Sequence, residues 1–185
     1  MPIFPSMTIL DIALMGDPVL ASEAFPVADP GDGAVVRLVA DMVETMLAAG
    51  GVGLAAPQVR HRSRLVVFQV PPGRSADGRG VPLTVLINPH IEPLGDDMDP
   101  AYEACLSVPG LTGVVPRWRR IGYRALGLDG KVVEREAEGL HARVVQHECD
   151  HLSGLLYLSR MADLSSLAMT AELHRQASLR TGESP

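Results

Sequence analysis

The segment Gln146-His147-Glu148-Cys149-Asp150-His151 contains the pattern H-E-x-x-H, which constrains this chain more than any other stretch. Residues on an α-helix advance by about 100° each, so His147 and His151 share one face, one turn apart, with Glu148 beside them. Two imidazoles next to a carboxylate can hold one metal ion and supply a general base. The pattern therefore predicts a helix over residues 138–152 that carries the metal site of a hydrolase.

A mononuclear hydrolytic site needs a third protein ligand and a position left open for water. A third histidine placed six residues after the second would suit some metallopeptidases, but Tyr157 stands at that position. Cys149 lies about 200° around the helix from His147 and cannot reach the same ion. The remaining candidates are Cys105, the only other thiol, and Glu172, a downstream glutamate placed as in zincin peptidases. The residues alone leave both open.

Three motifs together resemble peptide deformylase. They are Gly51-Val52-Gly53-Leu54-Ala55-Ala56-Pro57-Gln58, Glu103-Ala104-Cys105-Leu106-Ser107 and the H-E-x-x-H segment, and they occur in the family's order. The second motif and the run Val108-Pro109-Gly110-Leu111-Thr112 are closest to the mitochondrial-type branch. However, the first 36 residues contain neither Lys nor Arg, so the sequence predicts no transit peptide or secretory signal there.

The resemblance implies the roles of the site residues. Cys105, His147 and His151 would hold one divalent ion, with Fe2+ implied in cells and Zn2+, Ni2+ or Co2+ compatible with a purified sample. Glu148 would move the proton between water and the leaving amine. The Gln58 side-chain amide and the Leu106 backbone N–H would stabilise the developing oxyanion. The predicted activity is removal of the N-formyl group from formyl-methionyl nascent polypeptides, with release of formate.

The predicted substrate-binding residues divide into two sets. In the family, the segment around Val52 and Gly53 pairs with an extended peptide, and Ala104 stands beside the ligand cysteine where Gly is usual. Leu140, Arg143 and Val144 lie about one or two helical turns before His147 and would line the methionine pocket. Two residues depart from the family pattern, since Arg143 is unexpected in an apolar pocket and Thr112 stands where many bacterial members have an Arg.

Composition fits one soluble catalytic domain over residues 1–185, because 46% hydrophobic residues in 185 suffice for a single core. The net charge of -6 argues against a dedicated nucleic-acid surface, and no apolar run approaches a membrane span. Arg117, Arg119 and Arg120 are interpreted as a solvated strand edge. Two cysteines without a disulfide favour the cytoplasm. We expect a monomer or weak homo-oligomer in transient proximity to the ribosome.

The predicted fold class is α+β, with small antiparallel or mixed β-sheets around the central metal-binding helix. Hydrophobic spacing predicts an N-terminal helix over residues 34–49 and a C-terminal helix over 163–179 that begins at Asp163. Strands are predicted at 65–70 and 83–87, and residues 121–128 and 131–137 are predicted to form a hairpin around Asp129-Gly130.

Two other functions remain compatible with the residues. A zincin-type metallopeptidase would use His147, His151 and Glu172, cleave internal peptide bonds and tolerate loss of Cys105. A non-catalytic, metal-stabilised binding module would need a fourth protein ligand to close the coordination sphere.

Overall fold

The computed structural model describes residues 8–75 and 78–181. Within them, three α-helices and two antiparallel sheets form an α+β fold, which confirms the predicted class. The helices are α1 (Gly33–Ala48), α2 (Leu140–Leu152) and α3 (Thr170–Thr181). The strands are β1 (Gly53–Ala55), β2 (Leu65–Val70), β3 (Val81–Pro93), β4 (Met98–Cys105), β5 (Val108–Trp118), β6 (Arg120–Leu126), β7 (Val132–Glu138) and β8 (Ala168–Met169). No helix in this part of the chain is long and apolar enough to cross a membrane.

The larger sheet has the strand order β1-β2-β3-β6-β7, so β1 lies at one edge. Strand β2 is buried on both faces because its residues alternate between two cores. Val66 and Phe68 pack in the core that contains α2, whereas Leu65 and Val67 pack in the core that contains α1. The sheet is therefore covered by α1 on one face and by α2 on the other.

The smaller sheet has the order β4-β5-β8, so β4 is also an edge strand. Strands β4 and β5 form a hairpin whose two-residue turn is Leu106-Ser107, with Cys105 opposite Val108. Helix α2 contacts both sheets, and all its residues from Ala142 to Leu152 are buried. This position places H-E-x-x-H between the two edge strands.

Several predicted elements agree closely with the structure, including α1, β2 and the β6–β7 hairpin around Asp129-Gly130. The predicted start of the last helix is wrong. Asp163 accepts a hydrogen bond from the Ser165 backbone N–H at 2.6 Å, which closes a local turn, and α3 begins only at Thr170, after β8. Asp, Ser and Thr form such turns as readily as helix caps, so the sequence signal was ambiguous.

Candidate metal centre and active-site cleft

Three of the predicted ligands meet at one point. Cys105 ends β4, while His147 and His151 project from α2, and one ligand atom from each lies within 4.8 Å of the others. The Cys105 Sγ to His151 Nε2 distance is 3.3 Å. Tetrahedral zinc with ordinary Zn–S and Zn–N bonds would separate these two atoms by about 3.6 Å. The donor set therefore fits a divalent ion with only a small adjustment.

The electrostatic surroundings of the two histidines differ. Burial alone would lower the pKa of His147, but hydrogen bonds to Cys105 and Glu103 raise it to about 10. Burial holds the pKa of His151 well below its ordinary value. These surroundings therefore favour the charged form of His147 and the neutral form of His151.

The other candidate ligands lie elsewhere. Among the described residues, the only group of three or more His, Cys, Asp or Glu side chains close enough to share an ion is Cys105, His147 and His151. Glu172 is on α3, where its half-exposed carboxylate pairs with Arg175 at 2.5 Å. Cys149 is buried among apolar residues, and burial raises its pKa to about 12. Within residues 8–75 and 78–181, the geometry thus provides neither the zincin ligand set nor a fourth ligand.

The buried carboxylate of Glu103 forms a hydrogen bond with Nδ1 of His147. Glu103 Oε2 accepts a hydrogen bond from His147 Nδ1–H at 2.8 Å, and Arg117 donates to both Glu103 oxygens at 2.9 and 3.0 Å. Burial would raise the pKa of Glu103, but the hydrogen bonds to His147 and Arg117 lower it to about 2. An ionised Glu103 holds the proton on His147 Nδ1, so Nε2 is the nitrogen that would bind a metal ion in place of a proton.

Arg117 corrects one sequence-based interpretation. It was expected on a solvated strand edge with Arg119 and Arg120, yet Arg117 is 4% exposed and also pairs with Asp150 at 2.5 Å. Arg119 and Arg120 are exposed, as expected. The supporting role of Glu103 was also missed, although alternation along a strand places Glu103 and Cys105 on the same face.

Glu148 lies beside the metal ligands in a closely packed position. Its carboxyl group is buried, its Oε2 has no hydrogen-bond partner among the described residues, and burial raises its pKa to about 7. A Cβ atom added to Gly53 would come within 2.7 Å of Glu148 Cδ. Glycine at 53 is thus needed for β1 to approach the Glu148 carboxyl. A pKa of about 7 suits a group that both accepts and donates protons near neutral pH.

Gln58 reaches the same site from the short 3-10 helix Ala56–Val59 that follows β1. Its Oε1 accepts a hydrogen bond from the Ala55 backbone N–H at 2.8 Å, which orients the amide. Its Nε2 donates to Ser107 Oγ at 3.2 Å and lies 3.5 Å from Cys105 Sγ. Leu106 occupies the turn directly after Cys105. Two candidate oxyanion donors, the Gln58 amide and the Leu106 backbone N–H, are therefore carried by segments that meet at Cys105.

These groups line a cavity of about 510 Å3. The cavity is bounded by the segment leading into β1, by edge strand β4 and by α2. All six residues predicted to bind substrate line it, namely Val52, Gly53, Ala104, Leu140, Arg143 and Val144. Edge strands on both sides offer unpaired backbone groups to an extended peptide.

Three residues depart from the family pattern, namely Ala104, Thr112 and Arg143, and the structure shows what each of them contacts. Ala104 lies in β4 and is not among the described non-glycine residues with positive φ, so it needs no glycine-like backbone. Thr112 is buried and donates from its hydroxyl to the Glu103 backbone carbonyl at 2.8 Å. The guanidinium of Arg143 is bound by Glu103 and by backbone carbonyls, so its charge is already paired within the protein. An apolar pocket can therefore include this arginine.

Comparison with known proteins gives one consistent result. The family model for polypeptide deformylase matches residues 9–166. Peptide deformylase 1 of Bordetella pertussis is 51% identical over 163 residues, which are 88% of this chain and 93% of the relative. A Met-Ala-Ser-bound class I type b peptide deformylase from Acinetobacter baumannii has a TM-score of 0.78 at 35% identity and covers 84% of this chain and 99% of its own. An actinonin complex of the Synechococcus elongatus enzyme has a TM-score of 0.75 at 34% identity, covering 95% and 87%.

Proposed function

The chain belongs to the polypeptide deformylase family and is a metal-dependent hydrolase that removes the N-formyl group from nascent peptides; from this we propose that Cys105, His147 and His151 hold its metal ion and that Glu148 is its general base. The observation that carries the proposal is the convergence of the three ligand atoms within 4.8 Å beside a buried carboxyl. A divalent ion bound there supplies Lewis-acid activation of water and of the formyl carbonyl.

The protein's own groups account for the remaining chemistry. Glu148 accepts a proton from the water that attacks the formyl carbon, and then donates it to the amine nitrogen as the C–N bond breaks. The products are formate and a free N-terminal amine. Gln58 Nε2 and the Leu106 backbone N–H donate to the carbonyl oxygen as negative charge develops on it. Glu103 keeps His147 oriented throughout, since its carboxylate accepts a hydrogen bond from His147 Nδ1–H.

Substrate binding follows from the two edge strands. We propose that the peptide runs between them and forms backbone hydrogen bonds with the segment around Val52 and Gly53 and with Ala104 of β4. Val144 and Leu140, on the α2 wall of the cleft, are apolar and would contact the methionine side chain. Arg143 would contribute its aliphatic stem there, because its guanidinium is bound on the β4 side.

Further properties belong to the same proposal. Ferrous iron is the metal that we propose in cells, and zinc, nickel or cobalt would suit the same thiolate and imidazole donors. We propose that residues 1–185 act as one catalytic domain, monomeric or weakly associating, in the cytoplasm and in transient proximity to the ribosome. A net charge of -6 gives no support for a dedicated nucleic-acid surface.

Replacing Gln58 with leucine is expected to lower kcat by about thirtyfold to a thousandfold, which corresponds to about 2 to 4 kcal/mol of transition-state stabilisation. Formate release from a formyl-methionyl tripeptide measures this loss. Metal content must be measured on the same sample, because Gln58 Nε2 also lies against Cys105 Sγ. Gln176→Leu makes the same change on the exposed surface of α3 and should leave kcat unchanged. An unaltered kcat in Gln58→Leu would remove this amide from the mechanism.

A further inference from the structure

Arg143 lines the cleft, and its guanidinium is bound by three residues of β4 and one residue of β5. It is 6% exposed, and its Nη1 donates to Glu103 Oε1 at 2.8 Å, to the Val115 carbonyl at 2.8 Å and to the Ala101 carbonyl at 3.4 Å. Its Nη2 donates to the Asp99 carbonyl and lies 3.5 Å from Asp99 Oδ2. One guanidinium thus joins α2 to both β4 and β5.

The partners of Arg143 on β4 follow the alternation of the strand. Asp99, Ala101 and Glu103 are two residues apart and lie on one face, and Cys105 continues the series. On α2, Arg143 lies four residues, or about one turn, before His147. Arg143 therefore holds β4, which ends in the proposed ligand Cys105, against α2, which carries the proposed ligands His147 and His151.

Charge balance shows why Arg117 alone does not replace Arg143. The buried group contains two carboxylates, Glu103 and Asp150, and Arg117 pairs with both. Arg143 adds a second buried guanidinium on Glu103 Oε1. Without it, Glu103 and Asp150 share Arg117 as their buried guanidinium, and the other partners that the described residues offer are His147 on Glu103 and the half-exposed Arg160 on Asp150. A buried carboxylate that loses a charged donor is costly and rearranges to recover a partner.

We propose that Arg143 is a positioning residue, which orients His147 through Glu103 and holds edge strand β4 in register beside the cleft. The inference rests on the proposed metal site and on the proposed pairing of the peptide with β4. Its consequence is that this one residue affects two measurable properties, metal affinity and peptide KM, without touching the reacting atoms.

Arg143→Met and Arg143→Lys on the full chain test the proposal. Methionine keeps an unbranched stem but removes every donor, so zinc affinity, measured by chelator competition, should fall about tenfold to a hundredfold. The His147 Nδ1–H signal in the NMR spectrum of the zinc-loaded protein should exchange faster with solvent. KM for a formyl-methionyl peptide should rise by a larger factor than kcat falls.

Lysine keeps one charge for Glu103 but cannot reach the β4 and β5 carbonyls together. Arg143→Lys should therefore restore zinc affinity to within a few-fold of wild type while KM stays raised. Arg120→Met removes an exposed arginine that pairs with Glu136 and should change neither property.

The possible outcomes are distinguishable. If Arg143→Met folds and its zinc affinity and Nδ1–H exchange match those of wild type, the positioning role is wrong. If it fails to fold, Arg143→Lys decides, and a wild-type KM in that variant overturns the proposal. If the wild-type chain itself binds no zinc at this site or releases no formate, the proposed function fails rather than the role of Arg143 alone.

Discussion

Replacing Glu148 with glutamine is expected to leave the metal bound and to lower deformylation by about a hundredfold to ten thousandfold. The amide has the same shape and can still hydrogen-bond to water, but it can neither accept a proton nor deliver one to the leaving amine. Glu148 sits in a buried position against Gly53, so an isosteric change disturbs the packing little. Metal stoichiometry, affinity for a hydroxamate inhibitor and formate release, measured on one preparation, separate binding from turnover.

Glu172→Gln is the matched control for this experiment. The same chemical change is made on a half-exposed residue of α3 that pairs with Arg175, and it should alter neither metal content nor turnover. Undiminished turnover in Glu148→Gln would show that another group handles the proton. Loss of metal from Glu172→Gln, together with retention in Cys105→Ser, would instead favour the zincin ligand set.

Replacing Cys105 with serine is expected to weaken metal binding by more than about a hundredfold, since a neutral alcohol is a poor ligand for these ions compared with a thiolate. Formate release should fall in parallel, because the two histidines alone leave the ion weakly held. Equilibrium dialysis against a graded chelator measures the affinity. Thermal unfolding of the metal-free protein checks that the fold survives.

Cys149→Ser is the matched control, because it makes the same replacement of sulfur by oxygen at a residue two positions after His147. Cys149 packs in the apolar core between α2 and the larger sheet, so serine there should lower stability while zinc remains bound at one ion per folded chain. If Cys149→Ser released the metal and Cys105→Ser retained it, the assignment of the two thiols would have to be exchanged.

The local part of the site could be predicted from the sequence because helical periodicity fixes it. H-E-x-x-H determines that His147 and His151 share a face, and the same geometry places Cys149 away from it. The choice between Cys105 and Glu172 could not be made from spacing, because both are distant in sequence. It depended on a family resemblance, and the structure brings Cys105 Sγ to 3.3 Å from His151 Nε2.

The β4–β5 hairpin was not predicted, and with it the sequence analysis missed the support of His147. Prolines at 100, 109 and 116 and glycines at 110 and 113 weaken the strand signal in this segment. Without the cross-strand register, nothing indicated that Arg117 would be buried against Glu103 and Asp150. Arginine is exposed in most proteins unless paired, and its partners here are 14 and 33 residues away in sequence.

The reason that glycine is needed at position 53 also lies in a tertiary contact. Its motif indicated close backbone approach, but only the fold shows that the neighbour is the Glu148 carboxyl. The packing of β1 against α2 thus brings the glycine-containing motif at residues 51–58 next to the H-E-x-x-H segment. The turn after Cys105 brings the motif at residues 103–107 to both. Motif order along the chain could be recognised in the sequence, whereas the contacts that join the motifs required the three-dimensional structure.

The most direct test of the account is to incubate the metal-loaded chain with formyl-Met-Ala-Ser and with unformylated Met-Ala-Ser, and to assay formate and new amino termini. The account predicts one formate and one free methionine amine for each formylated peptide consumed, with the unformylated peptide left intact. Cleavage of the internal peptide bonds in both substrates without formate would contradict it and would indicate a metallopeptidase.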